Sequence, residues 1–180
     1  MFSLDVGSGS VGYAAVARGD VCLDIGVPTV LPPFFVRGDA YNLPFPSGFF
    51  DKVFFYDVVE HVDSPLKALR EILRVLKVGS PVEISTPNCL HWRVFLRALR
   101  GKRIVLSGDS DHVSTWTDAE MENLLRKAGF STFKFEYVIL PVTRLYSGNW
   151  FWLDLLLHRC FGKFFSRVTG RAMIVHAKKL

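Results

Sequence analysis

Leu4-Asp5-Val6-Gly7-Ser8-Gly9-Ser10-Val11-Gly12 decides the fold of this chain. Phe2, Leu4 and Val6 form a short β-prone run, and Gly7 and Gly9 allow positive φ and close approach of the backbone to a ligand. Tyr13-Ala14-Ala15-Val16-Ala17 then resumes as helix, predicted from about Ser10 to Arg18. A strand, a glycine turn and a helix in that order make a nucleotide-binding arrangement.

The spacing Gly7-x-Gly9-x-x-Gly12 also matches the dinucleotide fingerprint, in which the turn packs against a pyrophosphate. Asp5 argues against that ligand, because a carboxylate two residues before the first glycine repels phosphate at close range. It suits a ligand with positive charge, such as the ammonium or sulfonium of S-adenosylmethionine. Further along, Val21 to Ile25 reads as a second strand. Asp24 lies at its carboxyl end, where an acceptor-only carboxylate meets both hydroxyls of a ribose.

Several stretches in the right order resemble one family. They are Leu4 to Gly9, Cys22-Leu23-Asp24-Ile25, Gly38-Asp39-Ala40 with Leu43-Pro44-Phe45, and Phe50-Asp51-Lys52-Val53. Val59-Glu60-His61-Val62, Ala68-Leu69-Arg70-Glu71 and Arg74-Val75-Leu76-Lys77 complete the set. Over roughly residues 2 to 130 the chain resembles the class I S-adenosylmethionine-dependent methyltransferases, in particular the type 11 group related to ubiquinone and menaquinone methyltransferases. That resemblance implies an α/β, Rossmann-like fold with a mostly parallel seven-stranded sheet in the order 3-2-1-4-5-7-6, flanked by helices. It also implies S-adenosylmethionine as cofactor, with S-adenosylhomocysteine as product. The cofactor residues it implies are Asp5, Gly7, Ser8, Gly9, Asp24, Ile25, Asp39, Ala40, Tyr56, Asp57 and Val58, with Asp39 accepting from the adenine amino group and Tyr56 to Val58 beside the methionine part.

Where relatives carry a helix after the second strand, this chain has Gly26-Val27-Pro28-Thr29-Val30-Leu31-Pro32-Pro33, whose prolines forbid one, so a loop is expected. The chain also starts at the first strand, a shortened N-terminus relative to the family. Phe34 to Arg37 reads as the third strand. Val53 to Tyr56 reads as a central strand buried on both faces. Beyond it, Glu60 and His61 should border the reacting methyl group at the topological switch point. His61 is one candidate general base and His112, before a later helix, is the other. No metal ligands are assigned, since Cys22, Cys89 and Cys160 are far apart with no C-x-x-C pair.

Ser64-Pro65 starts a helix whose leucines recur at helical spacing, while Lys67, Arg70, Glu71, Arg74 and Lys77 face away as scaffold. Pro81 to Thr86 is the fifth strand, Cys89 to Arg100 a basic helix, and Asp118 to Lys127 a helix with Thr117 and Glu120 as a capping box. Thr132 to Leu140 and Ala172 to Ala177 are the last strands. The residues between them, about 141–170, form an insertion carrying Trp150, Phe151, Trp152, Leu155 to Leu157 and basic residues. Such a mixture suits an interfacial helix, a cap over the cleft or a dimer surface.

At 180 residues, with 49% hydrophobic and 14% aromatic side chains, residues 1–180 fit a single domain with its own core. Residues 1 to 60 hold 3 Lys/Arg against 7 Asp/Glu, and the rest 19 against 10, so the basic surplus is C-terminal and favours an anionic partner. No secretory signal is visible, and Trp150 to Phe165 is too interrupted by charge to span a bilayer, so the expected location is cytoplasmic, or peripheral to a membrane through 141–170. The expected function is methyl transfer to a small or lipid-like acceptor. Nucleic acid is disfavoured, because no Asn-Pro-Pro-Tyr type motif is present, and an oligomer stays open. A non-catalytic binding protein, or an NAD-dependent oxidoreductase read from the literal glycine spacing, is the alternative.

Overall fold

A computed structural model describes residues 1–9, 18–28, 30–102, 112–138 and 151–180, and for 151–154 and 161–165 the backbone alone. The helix expected at 10–17, the polar loop up to Asp111 and residues 141–150 of the insertion lie outside the described residues.

Along the chain come β1 (Ser3–Val6), β2 (Val21–Asp24), β3 (Phe35–Arg37), β4 (Lys52–Tyr56), α1 (Pro65–Val75) and β5 (Pro81–Pro87). Then follow α2 (Trp92–Leu99), α3 (Asp118–Ala128), β6 (Phe130–Val138), α4 (Phe151–Thr169) and β7 (Ala172–Lys179). The strands form one sheet in the order β3-β2-β1-β4-β5-β7-β6, as the resemblance implies. All pairings from β3 to β5 are parallel, and β7 runs antiparallel to both β5 and β6. Leu4 pairs with Val21 on one side and Val53 on the other, so strand order reverses at β1 and a crevice opens beyond the carboxyl ends of β1 and β4.

Burial follows from pattern. Ala68, Leu69, Ile72 and Val75 form the buried stripe of α1, and Met121, Leu125 and Ala128 that of α3; the two helices pack on the same core as Leu4, Val53, Phe55, Val82 and Ile84. Each such side chain contributes roughly 1.5–3 kcal/mol on leaving water. α3 is started by the predicted capping box, in which Thr117 Oγ1 accepts from the Glu120 amide while Glu120 accepts from the Thr117 amide. Gly129 stops it at φ 107°, where a side chain would press on Leu73.

Several sequence readings change. β4 is not buried on both faces: Val53 and Phe55 are buried, whereas Phe54 and Tyr56 are half-exposed beneath the Lys52 ammonium and the Arg18 guanidinium, 4.3 and 4.4 Å from their ring centroids. Ser64 precedes α1 without a side-chain cap; its amide instead donates to the Tyr41 hydroxyl at 2.9 Å. Glu71 and Arg74 do not face away. Arg74 donates to the Leu43 and Phe45 carbonyls and to Glu71, and Glu71 accepts from the Leu43 amide, so together they clamp the loop entering β4. β6 begins at Phe130 rather than Thr132, because a register shift between Ser131 and Lys134, with Thr132 at φ 49°, lets Phe130 enter the core. Of residues 141–170, expected as an insertion, 151–169 are helical. The end of that helix is held by Asn88, whose side-chain amide donates to the Arg167 and Gly170 carbonyls at 2.8 and 2.7 Å.

Candidate functional site

The glycine turn is shaped from below. Gly7 and Gly9 have φ of 78° and 97°, a conformation that L side chains avoid. A Cβ on Gly7 would fall inside the Val58 side chain, whereas one on Gly9 would meet open space among the described residues. Gly7 therefore lets the β4 loop approach, and Gly9 leaves its surface clear for a ligand. The amides of Gly7 and Ser8 donate to the Leu23 carbonyl, which fixes the turn to the end of β2.

Asp24 completes that fixing. Its two oxygens accept from the Gly9 and Gly26 amides, both at 2.9 Å, so the carboxylate is rigid before any ligand arrives. Each oxygen keeps a second lone pair, which is what a diol requires. Beside it, Ile25 is 70% exposed, a large apolar side chain standing at the strand end. Asp39 Oδ1 accepts from the Tyr41 amide, an Asx-type turn that shapes the next rim.

A cleft of about 650 Å³ lies across these strand ends, within the usual range for small-ligand sites. Its lining brings together Gly7, Gly9, Asp24, Ile25, Asp39, Ala40, Asp57, Val58 and His61 from the expected set. Four expected residues, Asp5, Ser8, Tyr56 and His112, are not part of that lining. Asp5 is fully buried under the turn, accepts from the Arg18 amide at 3.1 Å, and is pushed up in pKa chiefly by that burial, so it shapes the turn from beneath. Ser8 is buried, and Tyr56 donates its hydroxyl to Glu83, with burial and that acceptor raising its pKa.

The lining also includes Tyr41, Val62 and Asp63, which sequence reasoning missed. Tyr41 reaches from the β3 side to the Ser64 amide and lies under the Lys67 ammonium, closing one end of the cleft. Only its position directly after Gly38-Asp39-Ala40 could have signalled this. Four carboxylates, Asp24, Asp39, Asp57 and Asp63, line the cleft, and among its described lining residues there is no Lys or Arg. A cavity of that sign repels pyrophosphate and favours a cationic ligand. Apolar Ile25 beside diol-ready Asp24, a clear Gly9 surface and this negative field together fit S-adenosylmethionine.

At the far wall, Asp57 takes φ 54° and is held by Ser85, whose hydroxyl donates to Asp57 Oδ1 at 2.7 Å. Glu60 is 1% exposed; burial first, then the Asp57 charge, pushes its carboxyl up to about 8. The Thr86 hydroxyl stands beside it without closing a direct hydrogen bond. The rings of His61 and His112 meet edge to face with centroids 4.6 Å apart. The two candidate bases are thus one pair, a proximity that about fifty residues of separation conceal.

A type 11 family model described as "Methyltransferase domain" matches residues 4–82. Demethylmenaquinone methyltransferase of Clavibacter sepedonicus is 29% identical over 130 residues, 63% of this chain and 53% of that protein. A probable S-adenosylmethionine-dependent methyltransferase of Mycolicibacterium smegmatis is 31% identical over 145 residues, 71% of this chain and 51% of its own length. The chain therefore spans about half the length of these two relatives. A Thermotoga maritima crystal structure, described as an S-adenosylmethionine-dependent methyltransferase and possible histamine N-methyltransferase, shares the fold with a TM-score of 0.66 at 18% identity, covering 99% of this chain and 82% of that one. In its motifs, strand order and cleft, and in the match of residues 4–82 to the type 11 methyltransferase-domain model, the chain is similar to the class I S-adenosylmethionine-dependent methyltransferases, a family that uses S-adenosylmethionine as cofactor.

Proposed function

We propose that this chain transfers a methyl group from S-adenosylmethionine to a small or lipid-like acceptor. The observation that carries the reading is the acidic cleft at the β1/β4 switch point, with Asp24 locked by the Gly9 and Gly26 amides. Asp24 and Asp39 would take the ribose and adenine, Gly9 the backbone contact, and Asp57 and Val58 the amino-acid end. When bound, the cofactor supplies an electrophilic methyl: a lone pair of the acceptor forms the new bond as the carbon–sulfur bond breaks and its electrons pass to sulfur. The protein's part is to orient the acceptor and exclude water, worth up to roughly 7–11 kcal/mol in favourable cases. His61, which lines the cleft, and His112, whose ring packs edge to face against it, would take the acceptor's proton or hold its oxygen.

A lipid-like acceptor draws support from the relative named for demethylmenaquinone, and from the apolar side chains exposed on α2 and α4: Phe95, Leu99, Leu155 and Leu156, interspersed with Arg97, Arg100 and Arg159. These elements suit peripheral contact with an anionic bilayer. Among the described residues no helix is long and apolar enough to cross a membrane.

Titration calorimetry with S-adenosylmethionine, S-adenosylhomocysteine and NAD tests the reading. Micromolar binding of the first two but not NAD, weakened at least tenfold (about 1.4 kcal/mol) by Asp24→Ala, is expected. Preference for NAD, or no binding by the intact chain, overturns it.

A further inference from the structure

We infer that Glu60, His61 and His112 hold a divalent transition-metal cation at the wall of the cleft. One donor atom from each lies within 4.8 Å of the other two. The positions are not accidental neighbours. The Glu60 carbonyl accepts from the Val113 amide at 2.8 Å and the Ser114 amide at 3.2 Å, which stitches the segment carrying His112 to the turn carrying Glu60 and His61. That turn is itself closed by the His61 amide donating to the Val58 carbonyl at 2.9 Å. Two loops distant in sequence are thus held backbone to backbone at the point where their three donors converge.

The Glu60 carboxyl supplies an independent observation. Both oxygens are buried without a hydrogen bond, on a residue that is 1% exposed. A buried carboxyl without hydrogen bonds costs stability unless something satisfies it, and the groups beside it, besides the Thr86 hydroxyl and the Asp57 carboxylate, include two imidazoles, which are metal donors. Donor atoms on a tetrahedral ion with bonds near 2.1 Å are separated by about 3.4 Å, so modest side-chain rotation contracts this cluster onto an ion.

Two imidazoles and one carboxylate suit Zn²⁺, Co²⁺ or Mn²⁺ better than Mg²⁺ or Ca²⁺, which prefer all-oxygen shells. Three protein donors leave coordination positions open. His61 also lines the cleft, so those positions adjoin the space available to the acceptor. A hydroxyl or enol oxygen of the acceptor would then be held, and its proton made easier to lose, by the ion rather than by a histidine side chain directly. The binding site stands on geometry alone; that role for it rests on the methyltransferase reading.

Chelator-stripped protein is titrated with ZnCl₂ by calorimetry and with CoCl₂ by visible absorption, where Co²⁺ bands report the coordination shell. One equivalent per chain is expected, with affinity reduced at least tenfold in both Glu60→Gln and His112→Ala, and unchanged in Asp24→Ala. Circular dichroism verifies that each variant is folded, and His61→Asn replaces any that is not. No binding, or binding that these substitutions leave unchanged, overturns the site. Metal binding in a chain that ignores S-adenosylmethionine would defeat the functional reading while leaving the site intact. Turnover of a hydroxyl acceptor that survives chelation would defeat the role assigned to the ion.

Discussion

Gly7 shows how one residue sets the site. Its φ of 78° and the Val58 side chain packed where a Cβ would stand are separate constraints, and Gly7→Ala breaks both. We expect it to lower stability by about 1–3 kcal/mol, read from urea unfolding, and to abolish detectable cofactor binding. Adding Val58→Ala relieves the clash but not the backbone strain, so the double variant should recover only part of the loss. At Asp24 the consequence differs. Its carboxylate is already occupied on one lone pair of each oxygen, so Asp24→Asn disturbs the turn as well as the hydroxyl contacts, because an amide nitrogen cannot accept from Gly9 or Gly26. Asp5, the residue that turned the sequence reading away from pyrophosphate, lies beneath the turn rather than in the cleft. The inference about ligand sign survives because Asp24, Asp39, Asp57 and Asp63 supply the negative charge instead.

Among the elements, α1 does two things at once: its apolar stripe fills the core, and Glu71 with Arg74 holds the loop that enters β4. The Arg74 hydrogen bonds hold the Glu71 carboxyl below its ordinary value of 4.5, so it contributes stability above that value and loses it as pH falls through the lowered folded value. Glu71→Gln should therefore weaken the fold by about 1–3 kcal/mol at pH 7 and flatten the fall in stability below pH about 4.5, measured by urea unfolding across pH. At the other end of the sheet, Asn88→Ala leaves the Arg167 and Gly170 carbonyls without their donor. Faster hydrogen exchange in α4, with α1 unchanged, is the expected result.

Strand order and the acidic character of the site were legible because they depend on short local patterns: apolar runs, glycines at fixed spacing, acids at strand ends. Tyr41 bridging to Ser64, the Glu71–Arg74 clamp and the His61–His112 pair were not, since each depends on which loops the sheet brings together. The helical content of 151–169 was hidden by a composition that served equally for a cap, an interface or a membrane contact.

For the whole molecule, charge and apolar exposure give a testable behaviour. If α2 and α4 meet a membrane, the protein should co-sediment with anionic phospholipid vesicles and not with neutral ones, and should be released as salt rises from 50 to about 500 mM, the mark of an electrostatic contribution. Binding to both vesicle types equally would remove the basic residues from that account.

The position of β7 has a consequence for how the protein comes into being. β6 is joined to the sheet only through β7, and β7 is made after the other six strands. As a ribosome extrudes the chain, β5 must therefore wait as an open edge, and β6 without a strand partner, until residues 172–179 emerge. During that interval the nascent protein offers any passing strand the place reserved for its own, so the emergence of residues 172–179, rather than collapse around β1, is the moment at which this sheet becomes safe from its neighbours.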